Sequence, residues 1–404
     1  MVDVFDAYVR ADGRKGIRNV IVVAYLVECA HHVSRKIVNA WDDREVHLIG
    51  FPGCFPNDYA YRMMNAVCTH PNVGGVLLVS LGCESMNREQ LLTDIRASGR
   101  PAELLVIQES GGTAATIRAG SESVARLREQ ADRVPKAPMG MDELVVGTIC
   151  GGSDGTSGVT ANPAVGRCFD RLVHDGATCI FEETGELIGC ERIMSERALT
   201  PELGRAIEDC VAKAERYYRT MGFGSFAPGN ADGGLTTLEE KSMGAYSKSG
   251  ASAISGLLKP GDQAPAGGLY LLDVVPDGEP RFGFPNISDN AEIVELIACG
   301  CHLILFTTGR GSVVGSAISP VIKICANPDT YRRLSEDMDI DAGRILSGEA
   351  DLDQVGDEIF ARVRAVAAGE HSCSEALGHQ EFILTYKAFE PLGPACLPVR
   401  QLAG

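Results

Sequence analysis

The sequence has little positive charge and no long apolar run. Its 37 lysines and arginines stand against 54 aspartates and glutamates, a formal net charge of −17. Such a chain repels phosphate groups, so we expect neither nucleic acid nor an anionic membrane surface as a partner. No segment approaches the roughly 20 apolar residues that span a bilayer, and Met1 is not followed by a basic patch and an apolar stretch. We therefore expect a cytoplasmic protein.

Signatures of nucleotide binding are missing from the glycine-rich turns. The stretches "QESGGTAA", residues 108–115, and "CGGSDGTSG", residues 150–158, follow apolar runs, yet neither continues as Gly-Lys-Ser/Thr or fits G-x-G-x-x-G. Their successive backbone N–H groups suit a carboxylate or a small phosphate, and a tight turn without a ligand is the alternative. An NAD-dependent dehydrogenase is therefore disfavoured.

Short aliphatic runs alternate with helical patterns, which predicts parallel sheets covered by helices. The expected fold class is α/β, with two Rossmann-like domains. A polar segment with two prolines, residues 133–142, is the predicted linker between an N-terminal domain, residues 1–132, and a C-terminal catalytic domain, residues 143–404. The glycine-rich segment 224–256 is expected to form functional loops.

Fourteen cysteines in a chain without a secretory signal predict reduced thiols, most of them buried. Four of them follow predicted strands: Cys29, Cys54, Cys83 and Cys150. The carboxyl ends of parallel strands carry the sites of such sheets, so these thiols are candidate ligands for iron, an iron–sulfur cluster or zinc. Packing where the sheet meets its loops is the alternative.

Three charged side chains are candidates for acid–base or binding roles. Glu84 directly follows Cys83, where a buried carboxylate is costly unless it is paired, ligating or catalytic. Arg310, in the turn "FTTGRGS", presents a guanidinium that binds carboxylates through two hydrogen bonds. Lys241, in "LEEKS", is a general base, a charge that stabilises an enolate, or part of a solvated helix start.

Long motifs along the chain resemble one known family. They are "YVRADGRKGIRN", "LGCE", "IQESGGT", "CGGSDGTSGVTANPAVG", "PGNADGGLTTLEEKSMG" and "FTTGRGS", in order from about Tyr8 to Gly343. Together they resemble the altronate/galactarate dehydratase family, in which sugar-acid dehydratases and the large subunit of (2R)-sulfolactate sulfo-lyase are grouped. The resemblance implies a lyase that removes water or sulfite from a 2-hydroxy acid, with a divalent metal as cofactor.

The resemblance, together with the strand-end positions, assigns site residues. It implies metal ligands at Cys54, Cys83 and Cys150, catalytic roles for Glu84, Asp154 and Lys241, and substrate binding by Gly151, Gly152, Ser153, Glu240 and Arg310. Iron is the expected metal, as a mononuclear centre or an iron–sulfur cluster, with manganese and magnesium as alternatives. Arg310 and the turn 151–153 are expected to hold the substrate carboxylate, and Lys241 or Glu84 to move the proton.

In fused sugar-acid enzymes of the family, a small domain precedes the motif that begins here at Tyr8. We therefore expect that domain as a separate partner chain of on the order of 100 residues, and self-association into a homo-oligomer. The expected reaction dehydrates a 2,3-dihydroxy sugar acid, such as altronate or galactarate, to a 2-keto-3-deoxy acid. Release of sulfite and pyruvate from (2R)-sulfolactate, which the two-subunit pattern favours, and a non-catalytic metabolite-binding role are the alternatives.

The leaving group determines which side chains the pocket requires. A sulfonate requires cations, for which the sequence offers Lys248, Arg310 and Lys323. A polyol tail requires hydrogen-bonding groups, for which it offers Asp154, Asn162 and Asn230. The sequence alone therefore leaves the substrate open.

Overall fold

The computed structural model describes residues 4–41, 45–222, 224–278, 288–384 and 386–387. The strands are β1 (Val4–Val9), β2 (Lys15–Gly16), β3 (Val20–Tyr25), β4 (Val46–Gly50), β5 (Val73–Ser80), β6 (Ala102–Val106), β7 (Lys136–Gly140), β8 (Val145–Cys150), β9 (Thr178–Phe181), β10 (Ile254–Leu258), β11 (Gly268–Leu272), β12 (Leu303–Thr308), β13 (Val321–Cys325) and β14 (Ile340–Asp341). The helices are α1 (Glu28–Val38), α2 (Asp58–Cys68), α3 (Arg88–Ala97), α4 (Thr113–Ala131), α5 (Ala161–His174), α6 (Glu191–Ser195), α7 (Pro201–Met221), α8 (Pro228–Asp232), α9 (Leu238–Ser247), α10 (Asp289–Ala298), α11 (Pro328–Arg333), α12 (Arg344–Ser347), α13 (Leu352–Ala367) and α14 (Cys373–Leu377). Within the described ranges, no helix has both the length and the apolar composition needed to cross a membrane.

A four-stranded parallel sheet in the order β4-β3-β5-β6 forms the centre of the N-terminal part. Its strands are the apolar runs that the sequence marks. Helices α1 and α4 pack against one face, and α2 and α3 against the other. Strand β5 is buried along its whole length, because both of its faces are covered.

A seven-stranded parallel sheet in the order β10-β11-β9-β8-β12-β13-β14 forms the centre of the C-terminal part. Strand β8 lies between β9 and β12, so the segments that follow these three strands meet at one edge of the sheet. Helix α10 packs against α2 of the N-terminal part, and one apolar core joins the two sheets. The predicted α/β class with two mainly parallel sheets is confirmed.

The connection between the two parts is partly a strand. Residues 133–142 were predicted from their prolines to be a linker, but β7 within them pairs antiparallel with β1. Strand β1 also pairs with β2, giving a third sheet in the order β2-β1-β7. The linker segment is therefore held by backbone hydrogen bonds that a reading of local composition does not detect.

A buried histidine joins the two parts of the chain. The Nδ2 atom of Asn72 donates to the His302 carbonyl oxygen over 3.0 Å, and the Val145 N–H donates to His302 Nδ1 over 3.0 Å. The Nε2 atom of His302 lies 2.8 Å from the Lys15 carbonyl oxygen. One ring nitrogen therefore accepts and the other donates, which requires a neutral imidazole. Burial, together with the nearby positive charge of Arg14, lowers the pKa of His302 to about 4.

Acidification is expected to weaken this contact. The unfolded chain binds a proton on His302 near the ordinary pKa of about 6.5, whereas the folded chain does so only at about 4. The contribution is therefore complete above pH ~6.5 and is lost as the pH falls towards 4, a change of about 3 kcal/mol in the free energy of unfolding. Urea unfolding of His302→Gln across this range should show a correspondingly shallower pH dependence. The same substitution at the exposed His32 is the control, and equal slopes for both variants would contradict the assignment.

Candidate active site

A cavity of about 390 Å³ opens at the carboxyl ends of the three central strands of the seven-stranded sheet. Strand β8 ends in Cys150, Glu183 follows β9, and Arg310 follows β12. All three side chains belong to residues that line the cavity. The volume lies in the range of small-molecule sites, and its position is where open parallel sheets bind their ligands.

A thiol and two carboxylates meet in one wall of this cavity. The Sγ atom of Cys150 lies 3.3 Å from Glu183 Oε1 and 3.3 Å from Glu186 Oε2. A single thiol proton cannot serve both oxygens. The three ligand atoms lie within 4.8 Å of one another, and no other group of three His, Cys, Asp or Glu side chains does so in the part of the chain that the structure describes.

Glu183 occupies an unusual backbone conformation. Its φ of 76° lies in the left-handed region, where no other non-glycine residue of the described ranges is found. That conformation costs a residue with a side chain of order 1–3 kcal/mol, and such residues cluster at functional sites. The strained backbone directs the Glu183 carboxylate towards Cys150, whose N–H also donates to Glu183 Oε2 over 3.1 Å.

Two buried lysines balance the charge of this cluster. Lys248 pairs with Glu183, and the Lys241 Nζ atom lies 2.6 Å from Glu186 Oε1. Burial raises the pKa of Glu183 to about 7, with repulsion from Glu186 adding to the shift. Burial is the largest influence on Lys241 and lowers its pKa, but the combined attraction of Glu186, Cys150 and Glu183 outweighs burial, so the pKa of Lys241 is raised.

The donor set of this cluster fits a divalent metal ion. One thiolate with two carboxylates combines soft and hard ligands, which suits iron, manganese or zinc better than magnesium. Beside the cluster, Glu182 is buried and its Oε1 atom has no hydrogen-bond partner among the described residues. An unpaired buried carboxylate oxygen is costly, and a cation nearby would offset that cost. The cluster is therefore compatible with a metal.

The glycine-rich segment after α7 forms α8 and α9 and brings two polar residues to the cavity. Asn230 accepts a hydrogen bond from Lys241 Nζ over 3.3 Å and donates to the Ser153 carbonyl oxygen over 3.2 Å. The Arg310 Nη1 atom donates to the Gly229 carbonyl oxygen over 2.7 Å, which anchors the guanidinium at the rim. Predicted residues Lys241 and Arg310 thus meet on one cavity.

The turn after β8 also lies on the cavity, with Gly151, Gly152 and Ser153 in its wall. A Cβ atom at Gly151 would lie 2.1 Å from Asp289 Oδ2 and 2.5 Å from Cζ of the fully buried Phe306, so a side chain there would clash with both residues. Gly152 has a φ of +63°, which also favours glycine. The Ser153 hydroxyl donates to Cys150 Sγ over 3.2 Å.

The structure separates the three cysteines that were grouped as metal ligands. Cys150 is buried in the wall of the cavity, whereas Cys54 and Cys83 are exposed and follow strands of the other sheet. Their sulfur atoms do not form a group within 4.8 Å with that of Cys150. The prediction that all three thiols hold a single ion is therefore wrong, because parallel strands share an edge only within one sheet. Glu84 also follows a strand of the other sheet, where its Oε2 atom accepts from the Gly82 N–H over 2.9 Å.

Two further predicted residues have contacts that shape the backbone. Asp154 Oδ1 accepts from the Thr156 N–H over 2.9 Å, and its Oδ2 accepts from Asn327 Nδ2 over 3.0 Å. Glu240 Oε2 accepts from both the N–H and the hydroxyl of Thr236 over 2.7 Å. Asp154 lies behind the turn, beside a smaller cavity that Glu240 also lines.

Several carboxylates of the cavity were not among the residues singled out from the sequence. Glu183 and Glu186 lie in "CIFEETGE", directly after an apolar run, so the rule that marked Cys150 would also have marked them. Asp289 and Glu292 come from α10, which reaches the cavity through tertiary packing. No local pattern identifies those two residues.

The chain is similar to known proteins over nearly its whole length. Residues 141–389 match the family "D-galactarate/Altronate dehydratase, C-terminal", and residues 7–132 match "D-galactarate dehydratase/Altronate hydrolase, second domain". The (2R)-sulfolactate sulfo-lyase subunit beta of Chromohalobacter salexigens is 32% identical over 94% of this chain and 97% of its own length. The altronate dehydratase of Escherichia coli is 29% identical over 93% of this chain and 76% of its own. The galactarate dehydratase (L-threo-forming) of the same organism is 33% identical over 76% and 59%.

Proposed function

This chain belongs to the D-galactarate/altronate dehydratase family, and from that membership we propose that it dehydrates a 2,3-dihydroxy sugar acid to a 2-keto-3-deoxy acid. It is an enzyme of the lyase class. The observation that carries the proposal is a single cavity lined by the group Cys150, Glu183 and Glu186, the ammonium of Lys241 and the guanidinium of Arg310. These groups supply a cation site, a proton and a carboxylate anchor.

Substrate binding is assigned to Arg310 and the turn 151–153. The guanidinium is anchored at one nitrogen by the Gly229 carbonyl and lines the cavity. A planar guanidinium holds a carboxylate in a fixed orientation through two hydrogen bonds. The glycines of the turn let backbone N–H groups approach an anion closely. Asn230 lines the same cavity and suits a hydroxyl of the sugar acid.

Cys150, Glu183 and Glu186 would hold the divalent metal, which we propose to be iron because a thiolate is among its ligands. When bound, such an ion acts as a Lewis acid towards the carboxylate and hydroxyl oxygens of a hydroxy acid. The protein must then place the proton donor and acceptor around the substrate. The part of the cavity wall formed by α8 to α10 supplies both the proton donor and the proton acceptor.

Proton transfer is assigned to Lys241 and Asp289. Asp289 takes the proton from C2, and the Lys241 ammonium gives a proton to the C3 hydroxyl, which leaves as water when the C3–O bond breaks. The resulting enol tautomerises to the 2-keto acid. Burial and the nearby Glu186 raise the pKa of Asp289 to about 6, which suits a base that works near neutral pH. Glu84 lies on the other sheet, so the geometry favours Lys241 for the proton.

The second candidate is elimination of sulfite from (2R)-sulfolactate, in which the C3–S bond breaks and sulfite leaves with the electron pair. It is favoured by the subunit beta relative, because the alignment covers 97% of that protein. The cavity contains two cations that suit a sulfonate, Arg310 and Lys241, while Lys248 pairs with Glu183 and Lys323 lies 3.2 Å from His379. Of the three residues considered for a polyol tail, Asn230 lines the cavity.

A separate smaller subunit is part of the proposal. The support is the relative that is itself named a subunit beta and aligns over nearly its full length. We propose that the small subunit and self-association of this chain complete the enzyme. Size-exclusion chromatography of the chain with and without a small subunit tests both, through the mass of the complex.

The reaction is tested by incubating anaerobically purified, iron-loaded enzyme with altronate, galactarate and (2R)-sulfolactate. Formation of a 2-keto acid from a sugar acid without sulfite is the expected result. Sulfite and pyruvate from sulfolactate would establish the second candidate instead. A metal-loaded chain that binds these acids without converting them, also in complex with the small subunit, would show a non-catalytic metabolite-binding role.

Arg310→Lys is expected to raise KM by about 10- to 100-fold with a small effect on kcat, because a charged hydrogen bond contributes ~1.5–3 kcal/mol. Lysine keeps the charge but loses the planar pair of donors. Steady-state kinetics on the best sugar acid measures the change. Arg133→Lys, at an exposed arginine of the N-terminal part, is the matched control. An unchanged KM would remove Arg310 from the binding site.

A further inference from the structure

Three cysteines of the described chain are exposed, and all three lie at one edge of the four-stranded sheet. This thiol trio consists of Cys29, Cys54 and Cys83, whereas the other described cysteines are buried or half-buried. Free cysteine is among the most buried residue types, so an exposed position is uncommon for it. Three such positions at one edge point to a shared ligand.

The sheet register places the trio side by side. Tyr25 of the central strand pairs with Gly50 on one side and with Val79 on the other. Cys29 lies four residues after Tyr25, Cys54 four residues after Gly50, and Cys83 four residues after Val79. The three loops therefore leave the sheet at the same level and are of equal length up to the thiol.

Backbone hydrogen bonds hold these loops together. The Ser85 N–H donates to the Cys54 carbonyl oxygen over 2.8 Å, and the Glu28 N–H donates to the Pro52 carbonyl oxygen over 3.2 Å. The loop after β4 is thus tied both to the loop after β5 and to the start of α1. Cys29 lies in the first turn of α1, the helix whose first residue is Glu28.

A buried carboxylate in the same loops supplies an independent observation. Glu84 is only 8% exposed. Its Oε2 atom accepts from the Gly82 N–H, but its Oε1 atom has no hydrogen-bond partner in the described part of the chain. Leaving a buried carboxylate oxygen unpaired costs about 1–3 kcal/mol or more. A cation beside the neighbouring Cys83 would remove that cost.

We propose that the thiol trio binds an iron–sulfur cluster, with Glu84 as the oxygen donor to the remaining iron. Thiolates select iron–sulfur clusters or zinc. The three sulfur atoms do not lie within 4.8 Å of one another as a group, so they do not fit one ion. In a cluster each cysteine binds a different iron, which holds the ligand sulfurs farther apart. This site is separate from the cavity of Cys150 and does not depend on the proposed reaction.

Iron and acid-labile sulfide in the full chain, purified anaerobically and reconstituted with ferrous iron and sulfide, test the cluster. We expect more iron than sulfide in the wild type, because the cavity also holds an ion, and equal amounts of the two in Glu183→Gln. Both proteins are expected to show the broad visible absorbance of a cluster and an electron paramagnetic resonance signal after reduction. Each of Cys29→Ser, Cys54→Ser and Cys83→Ser is expected to lose the sulfide and the absorbance. Glu84→Gln is expected to keep sulfide but change the resonance signal.

Matched variants make the result decisive. Three control variants are expected to retain sulfide and absorbance. One is Cys373→Ser, at a half-buried thiol elsewhere, and the other two are Cys150→Ser and Glu183→Gln, in the cavity. Circular dichroism shows that each variant is folded. Sulfide that persists in folded trio variants, zinc or iron bound without sulfide, or no metal after reconstitution would overturn the proposal. Because Glu183→Gln tests turnover while leaving sulfide untouched, failure of the proposed reaction and failure of the cluster are distinguishable.

Discussion

Replacing Lys241 by methionine is expected to lower kcat by ~10²–10⁴-fold with little change in KM. The buried ammonium lies 2.6 Å from Glu186 and is held protonated by that carboxylate. Methionine keeps the length and the apolar stem of the side chain but has no proton to give to the leaving hydroxyl. Steady-state kinetics on the sugar acid that is turned over best measures the loss.

The matched control for Lys241→Met is the same substitution at Lys36, an exposed lysine of α1. It is expected to leave kcat unchanged. Because removal of Lys241 leaves Glu186 without its ion pair, the thermal unfolding of both variants must be compared before the kinetics are interpreted. If a folded Lys241→Met variant had the wild-type kcat, a group other than Lys241 would have to donate the proton to the leaving hydroxyl.

Replacing Glu183 by glutamine is expected to abolish metal binding and to lower kcat by more than ~100-fold. Substitution of residues that only contact the metal ligands already lowers metal affinity or activity by about 10- to 100-fold. Glutamine keeps the shape of the side chain and loses the charge that a cation requires. Lys248, which pairs with Glu183, then adds an uncompensated positive charge next to the site. Metal content after dialysis and kcat are the two measurements.

Glu240→Gln is the informative control for Glu183→Gln. The sequence pointed to Glu240 as a substrate-binding residue, but its carboxylate accepts hydrogen bonds from Thr236 at the start of α9. We therefore expect this variant to keep its metal and most of its turnover. Equal metal content in wild type and Glu183→Gln would show that the ion binds elsewhere, and a large loss of turnover in Glu240→Gln would restore its predicted role.

The residues that sequence reasoning placed in the cavity share one property. Cys150 and Arg310 directly follow apolar runs that form neighbouring strands of one sheet. For such residues the position along the chain fixes the position in space, because parallel strands end at a common edge. Lys241 was singled out as a charged residue of "LEEKS" and again by the resemblance, and the glycine-rich segment that carries it forms a helix beside the same edge.

Cys54, Cys83 and Cys150 do not form a ligand group for one ion, for a reason that the sequence does not contain. All three cysteines follow apolar runs, and the residues around each run do not indicate which runs pair into one sheet. The structure assigns the first two to the four-stranded sheet and the third to the seven-stranded sheet. Strand pairing depends on contacts between residues far apart in the chain, which periodicity does not report.

By itself, the sequence determined the α/β class, the strands β3 to β6, β8, β9 and β12, and the glycine turn at Cys150, because these depend on short-range hydrophobic spacing and backbone freedom. Only the tertiary structure decided which strand ends meet, and hence that Cys150 faces Glu183 and Glu186 rather than two other thiols. It also decided that Asp289 of α10 joins the cavity. A burial pattern shows that a helix face is covered, whereas the surface that covers it is selected by packing of the whole chain.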